Sequence, residues 1–92
     1  MMKILQTTTF RRQVKKLHPN QKKELDKAVE TIADNPVVGE GKKGTLAGVR
    51  VYKFFMIGQL TLLAYAYDEN HDKLLLLALG SHENFYRDLT VA

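Results

Sequence analysis

The chain has 92 residues, of which 14 are Lys or Arg and 10 are Asp or Glu, and it contains no cysteine. This length is enough for one modest hydrophobic core and predicts a single domain over residues 1–92. The absence of cysteine excludes disulfides, thiolate metal sites and a cysteine nucleophile. No apolar run approaches the roughly 18 residues of a membrane-spanning helix, and residues 1–10 lack the long apolar region of a secretion signal. We therefore expect a cytoplasmic protein with no membrane partner.

The formal net charge of +4 is unevenly distributed along the chain. Residues 11–23, RRQVKKLHPNQKK, hold six cations and no acid, and two further lysines lie side by side in a glycine-rich segment. Clusters of this kind suit a polyanion, although a solvated helix face carries the same charges. The candidate residues for binding a polyanion, such as the phosphate backbone of a nucleic acid, are Arg11, Arg12, Lys15, Lys16, Lys42 and Lys43.

The first half of the chain has the pattern of a strand followed by two helices. Residues 2–6 are typical of an edge or near-edge strand, and any of the three threonines at residues 7–9 is able to cap the next helix. Apolar residues at helical spacing predict a helix over residues 10–17 and a second over residues 20–33. The proline that follows His18 separates them and predicts a helical hairpin, with His18 as a linker residue.

The second half of the chain has the pattern of a strand-rich unit. Residues 35–48 contain four glycines and one proline, which predicts a loop or a loop around a short strand. Residues 49–57 are rich in β-branched and aromatic side chains, and a turn at Gly58-Gln59 leads into a paired strand over residues 60–67. A last strand over residues 73–79 is aliphatic enough to be central and covered on both faces.

Together these segments predict an α+β fold with the order β-α-α-β-β-β. The three later strands form an antiparallel meander, so the small sheet is rich in antiparallel pairs. The helical hairpin covers one face of this sheet, and the chain ends in a short C-terminal polar tail or helix.

Three aromatic side chains, Tyr52, Phe54 and Phe55, lie in the predicted strand over residues 49–57. We expect them mainly to enter the core or cover the sheet, and base stacking is the less favoured role for each. Lys53 stands among them, and its alternative interpretation is an edge-strand lysine that discourages aggregation.

Polar chemistry follows directly on the last predicted strand. Gly80 ends the aliphatic run, and within seven residues come His82, Glu83, Tyr86 and Arg87. An imidazole, an acid, a phenol and a guanidinium at the end of a strand are groups that a phosphate-cleaving or phosphate-binding site uses. A solvent-facing C-terminal cap has the same composition, so both interpretations stay open. The three histidines have no metal-ligand spacing, and we expect neither a metal nor a cofactor.

The order of elements and three local patterns resemble the RelE/ParE superfamily, the toxins of type II bacterial toxin–antitoxin systems. The patterns are the FRRQVKKL first helix, the NPVVGEGKKGTLAGVRVYKF passage and the closing LLLLALGSHENFYRDL. The Leu-x-Gly-x-Arg element at residues 46–50 and the Gly-Ser-His at residues 80–82 are the most specific pieces. The second of these resembles the YafQ/RelE-like mRNA interferases of the superfamily. The resemblance implies a toxin that cleaves mRNA on the ribosome, and its ParE branch implies, as the alternative, a non-catalytic inhibitor of DNA gyrase.

The resemblance also implies roles for three side chains. His82 would transfer the proton, Arg50 would face the phosphate, and Lys53 stands where some members have a second histidine. The chemistry of phosphate cleavage suggests two further roles: Tyr86 or Glu83 would take the complementary acid–base role or orient a base, and Arg87 would help to hold the phosphate. Strand alternation sends Arg50 and Lys53 to opposite faces unless a bulge intervenes.

The implied reaction is metal-free attack of the ribose 2′-OH on the adjacent phosphate. The implied partners are a cognate antitoxin and mRNA in the ribosomal decoding site, or gyrase in the alternative. A third interpretation, a small basic interaction module without toxicity, also stays open.

Overall fold

The computed structural model describes residues 2–44 and 47–81. In this part of the chain the elements are β1 (Lys3–Gln6), α1 (Thr8–Lys15), α2 (Pro19–Asp34), β2 (Glu40–Gly41), β3 (Arg50–Met56), β4 (Gln59–Asp68) and β5 (Lys73–Gly80). The predicted α+β fold and order of elements are confirmed, and β2 is the short strand inside the predicted loop. The expected polar tail or helix lies outside the described residues.

The five strands form one open, mixed sheet in the order β1-β5-β4-β3-β2. β3, β4 and β5 are antiparallel neighbours, as predicted, whereas β1 pairs in parallel with β5 at one edge. At the other edge, β2 pairs only with Arg50 and Val51. The remainder of β3, including Lys53, is therefore not covered by β2.

Both helices cover the same face of the sheet, which we call the helix-covered face. Phe10 of α1 and Leu25 and Ile32 of α2 pack with Leu63 and Tyr65 of β4 in the main core. These five side chains are at most 2% exposed. Burial of this apolar stripe is what holds two short helices in place, since helices of this length are marginal alone. Neither described helix has the length and apolarity needed to cross a membrane.

The opposite face of the sheet carries neither of these helices, and we call it the helix-free face. Its middle holds a smaller buried cluster of Val51, Leu62, Ala64 and Ala78. Leu75 and Leu77 of β5 are only partly buried, so the expected burial of this strand on both faces is complete only in places. The strand is an interior strand between β1 and β4, but no second helical layer of the described chain lies over it.

The helix starts show which residues act as caps. Thr7 precedes α1, and its hydroxyl accepts the backbone N–H of Phe10 at 3.1 Å and donates to the Leu77 carbonyl at 2.7 Å. Of the three threonines able to cap this helix, Thr7 is therefore the one that does so. His18 is the N-cap residue of α2, and the Gln21 Oε1 accepts its backbone N–H at 2.8 Å.

The turn between β3 and β4 lies one residue earlier than the sequence predicts. Met56 pairs with Gln59, which leaves Ile57 and Gly58 as the two central residues. Their φ angles are 50° and 78°, and positive φ at both central residues matches the twist of the flanking strands. The predicted turn at Gly58-Gln59 was therefore wrong. A β-branched residue rarely adopts positive φ, so the local sequence gives no sign that Ile57 is a central residue of the turn.

Candidate functional site

The end of β5, where the sequence predicts a polar site, borders an open hollow of about 230 Å³ on the helix-covered face. The hollow lies between the C-terminal end of α1 and the β3–β4 hairpin. Its polar lining comes from Gln13, Lys16, Gln59, Thr61 and Ser81. Ser81, the last residue that the structure describes, and Lys16, one of the predicted RNA-binding cations, therefore line the same hollow.

Helix α1 is attached directly to the end of β5. The Gln13 side-chain oxygen accepts the backbone N–H of Leu79 at 2.7 Å, which fixes the last turn of α1 beside the strand. Lys16, the exposed C-cap residue of α1, follows. A cation at this position is stabilised by the partial negative charge of the helix C-terminus. The fold thus places Lys16 in the lining of the same hollow as Gly80 and Ser81.

Lys53 approaches the same strand end from the helix-free face. It pairs with Leu62, which in turn pairs with Gly80, so the three residues form one cross-strand row. Neighbouring strands lie about 4.8 Å apart, which places the Lys53 backbone about 10 Å from that of Gly80. The Lys53 side chain is exposed. Lys16 and Lys53 therefore flank the end of β5 from opposite faces.

Arg50 lies elsewhere in the sheet. The pairing of β3 with β4 runs without a bulge from Arg50 to Met56, so Arg50 and Lys53 lie on opposite faces. The Arg50 Nη1 donates to the carbonyl of Gly39 at 2.8 Å and faces that of Val37 at 3.4 Å. The structure therefore does not bring Arg50 and Lys53 together, and the contact of Arg50 with a phosphate stays a prediction.

The buried hydroxyl of Tyr65 also holds the loop between α2 and β2, to which Gly39 belongs. This role was not predicted from the sequence. The Tyr65 hydroxyl donates to the Pro36 carbonyl at 2.7 Å and accepts the Gly39 N–H at 2.9 Å. Burial raises the pKa of Tyr65, while the Gly39 N–H and the Arg50 charge act in the opposite direction. The phenol therefore stays protonated and able to donate. A tyrosine in the middle of an apolar strand was the available signal, because a buried hydroxyl needs a partner.

A second hollow, of about 390 Å³, lies at the opposite end of β3. Lys42, Arg50, Tyr67 and Glu69 contribute to its lining, and the Lys42 Nζ lies 3.3 Å from the Glu40 carboxylate. Lys43 is exposed nearby in sequence, and Arg11, Arg12 and Lys15 are exposed on α1. The predicted cations are thus spread over both ends of the sheet.

The aromatic residues of β3 divide between the two faces. Tyr52 and Phe54 are stacked, with ring centroids 5.9 Å apart and planes 16° from parallel, and both pack against the main core. Their expected role in covering the sheet is confirmed. For Phe55 that expectation was wrong, because its side chain is 68% exposed. Alternation along the strand places it on the helix-free face, beside Lys53.

Several predicted site residues cannot be placed in this geometry. Leu46, His82, Glu83, Tyr86 and Arg87 lie outside the described residues. Their proposed roles stay predictions. The described residues supply the cationic surroundings of the position where the chain continues to His82.

Comparison with known proteins links this arrangement to a family. A family model for the ParE-like toxin of type II bacterial toxin–antitoxin systems matches residues 4–90. No curated protein sequence gives a significant match.

Solved structures with the same fold come from several bacteria. A chain of the intact RelBE toxin–antitoxin complex of E. coli is similar with a TM-score of 0.73 and 14% identity, covering 90% of this chain and 99% of that chain. A chain of the RelBE2 complex from Mycobacterium tuberculosis gives 0.69 and 26% identity, covering 88% and 98%. The YoeB/ParE toxin from Agrobacterium tumefaciens gives 0.71 and 15% identity, covering 88% and 99%. The similarities to the E. coli and A. tumefaciens proteins concern the fold.

Proposed function

Because the chain belongs to the ParE-like toxins of type II bacterial toxin–antitoxin systems, in the RelE/ParE superfamily, we propose that it cleaves mRNA on the ribosome. The observation that carries this proposal is the pair of cations at the end of β5. Lys16 and Lys53 flank Gly80 and Ser81 from opposite faces of the sheet, and His82 follows directly in the chain. Cations on both sides of a strand end suit an RNA backbone that is held while one of its phosphodiesters is cleaved.

The proposed reaction needs no metal. A base takes the proton from the ribose 2′-OH, cations stabilise the crowded anionic phosphorane, and an acid protonates the leaving 5′ oxygen. His82 is the proposed proton carrier, since an imidazole exists in both protonation states near neutral pH. Tyr86 or Glu83 takes the complementary role, and Arg87 adds a bidentate contact to the phosphate.

The cations are proposed to contact different phosphates of the RNA, according to their positions in the fold. Lys53 contacts the scissile phosphate, and Lys16, on the opposite face of the sheet, contacts a neighbouring phosphate. Arg50, whose guanidinium already donates to a loop carbonyl, serves a more distant phosphate together with Lys42 and Lys43. The exposed cations of α1, Arg11, Arg12 and Lys15, contact the RNA backbone or present the positive surface that an acidic segment of a cognate antitoxin covers.

The ribosome supplies the positioning that so small a protein lacks. Both hollows are open, so residues 2–44 and 47–81 do not by themselves enclose an RNA strand. Holding mRNA in the decoding site provides orientation that is worth roughly 7 to 11 kcal/mol in favourable intramolecular reactions. Cleavage of free RNA is therefore expected to be weak, and the activity has to be measured on translated messages.

The decisive experiment maps mRNA 5′ ends after induced expression of the chain without its antitoxin. Wild type is expected to produce cuts in phase with codons, and His82→Ala is expected to abolish them. Lys53→Ala is expected to reduce cutting by about a hundredfold or more, the usual cost of losing one transition-state donor. Lys23→Ala removes the same charge from an exposed position on α2 and should cut as wild type does. Growth arrest without phased cuts would refute the proposal.

A second candidate function is inhibition of DNA gyrase without catalysis. The ParE-like description of the matching family favours it. In that case expression produces gyrase–DNA cleavage complexes and an SOS response, and His82→Ala has little effect. Normal growth of cells that express the chain alone would instead support a non-toxic interaction module.

A further inference from the structure

The β3–β4 hairpin ends in an exposed apolar group that folding does not require. Phe55, Ile57 and Leu60, which we call the hairpin tip, are 68%, 55% and 37% exposed. Phe55 and Leu60 are directly opposite each other on the helix-free face. Ile57 adopts a φ of 50° in the turn, a conformation that costs free energy for a β-branched side chain. Neither core packing nor turn geometry therefore explains these side chains.

The charge beside the hairpin tip is positive. Lys53 is two residues before Phe55, so both lie on the helix-free face with Cα atoms about 7 Å apart. Within β3, β4 and β5, all of which the structure describes, the single acid is Asp68, at the far end of β4. Among the residues of these three strands, Lys53 is therefore the charge nearest to the hairpin tip, and none of their carboxylates lies beside it.

We propose that Phe55 is a base-stacking residue, whose ring carries one nucleobase of a single-stranded RNA while Lys53 binds a phosphate next to that base. This inference rests on the proposed function, which makes RNA the substrate. An exposed aromatic ring beside a cation is the pairing that single-stranded nucleic acids use, because every base has a flat face and every linkage a negative charge. Phe55 would act as a positioning residue that sets which nucleotide reaches the end of β5.

The two neighbouring aromatics are not available for this role. Tyr52 and Phe54 stack on each other and pack against the main core. Phe55 alone among the three presents its ring on the helix-free face. Leu60, across the strand pair, offers an apolar surface beside that ring but no second aromatic face. Among the residues that the structure describes on the helix-free face, Phe55 offers the one aromatic ring, so a single base is the expected occupant of this position.

A tryptophan reporter tests the stacking directly. The chain has no tryptophan, so Phe55→Trp introduces a single indole whose fluorescence is quenched when a base stacks on it. Titration of the purified full chain with a short single-stranded RNA is expected to quench this variant. Ile4→Trp places an indole at a position that is 44% exposed on β1, and it should not be quenched. Quenching of both variants or of neither would overturn the proposal.

If an apolar segment of another protein covers the hairpin tip instead, the Phe55 variants are expected to rank differently in mRNA cutting. Stacking requires an aromatic ring, so Phe55→Leu should lower phased mRNA cutting by about ten- to a hundredfold, whereas Phe55→Trp should retain it. Docking of an apolar segment depends on buried area, which leucine largely preserves. Cutting by Phe55→Leu at the wild-type level would therefore overturn base stacking.

The two readouts separate failure of this inference from failure of the proposed function. If wild type makes no phased cuts, the proposed function is wrong, and the fluorescence titration still decides whether RNA stacks on position 55. If wild type cuts and Phe55→Leu cuts equally well, the proposed function stands and the stacking role does not. Thermal unfolding of each variant checks the fold, which substitutions at an exposed position should leave intact.

Discussion

At the scale of single residues, a few polar side chains hold the loop between α2 and β3 against the sheet. Tyr65 binds both Pro36 and Gly39 through one hydroxyl, and Arg50 adds a bond to the Gly39 carbonyl. Gly39 packs so closely that a Cβ there would lie 2.8 Å from the Tyr65 ring and hydroxyl. This loop leads into β2 and the Lys42–Lys43 pair, so its anchoring also positions those cations.

Replacing Tyr65 by phenylalanine is expected to destabilise the protein by about 1–3 kcal/mol, because a buried N–H and a carbonyl lose their partner. Urea unfolding measures the change. Tyr67→Phe is the matched control, since its hydroxyl makes a single bond, to Asp72 at 3.1 Å, nearer the surface. It should cost less than about 1 kcal/mol. Equal losses in the two variants would contradict the role assigned to Tyr65.

At the scale of elements, helix α1 is fixed to β5 at both of its ends. Thr7 holds the first turn through Leu77, and Gln13 holds the last turn through Leu79. The helix has only eight residues, so its own backbone bonds are not enough to keep it formed. The orientation that places Lys16 at the end of β5 follows from these two attachments.

Thr7→Ala is expected to cost about 1 kcal/mol of stability, because the helix loses its N-cap, and the bond to the Leu77 carbonyl is lost as well. Thr9→Ala removes an exposed hydroxyl from the first turn of α1 and should leave stability unchanged. Chemical denaturation of the two variants in parallel makes the comparison. A loss at position 9 that matched the loss at position 7 would show that the cap is not the cause.

The β3–β4 turn predicts a stabilising substitution. Ile57→Asn is expected to raise stability by about 1 kcal/mol, because asparagine tolerates positive φ much better than a β-branched residue. Gly58→Ala is the opposite control, since a side chain at a φ of 78° is strained. It should lower stability. Thermal unfolding of both variants checks the signs, and a fall in stability for Ile57→Asn would contradict the turn geometry.

At the scale of the whole molecule, the strands of the sheet are unevenly buried from solvent. β4 lies between β3 and β5 and is buried from Thr61 to Tyr65, whereas all four residues of β1 are exposed and β2 has two residues. One side of the sheet carries the helices. The helix-free face therefore combines a buried middle with an exposed end at the hairpin tip.

This unevenness predicts the order of amide hydrogen exchange. The amides of residues 62–65 are expected to exchange slowest, near the rate of global unfolding, and those of β1 and β2 fastest among the strands. Exchange measured by NMR on the full chain gives the ranking. Fast exchange at residues 62–65 would show that β4 is not the centre of the cooperative unit.

The sequence by itself determined the elements and their order, because helical and strand periodicities are local properties of neighbouring residues. It also marked the end of β5 as a polar site and indicated the family. Only the tertiary structure decided what surrounds that site. Strand register places Lys53 in the same cross-strand row as Gly80. Contacts between distant segments bring Lys16 into the hollow at the end of β5 and lead the Arg50 guanidinium to donate to the Gly39 carbonyl. The Thr7–Leu77 bond joins residues 70 positions apart, and such pairings are set by burial of the whole apolar core rather than by any local pattern.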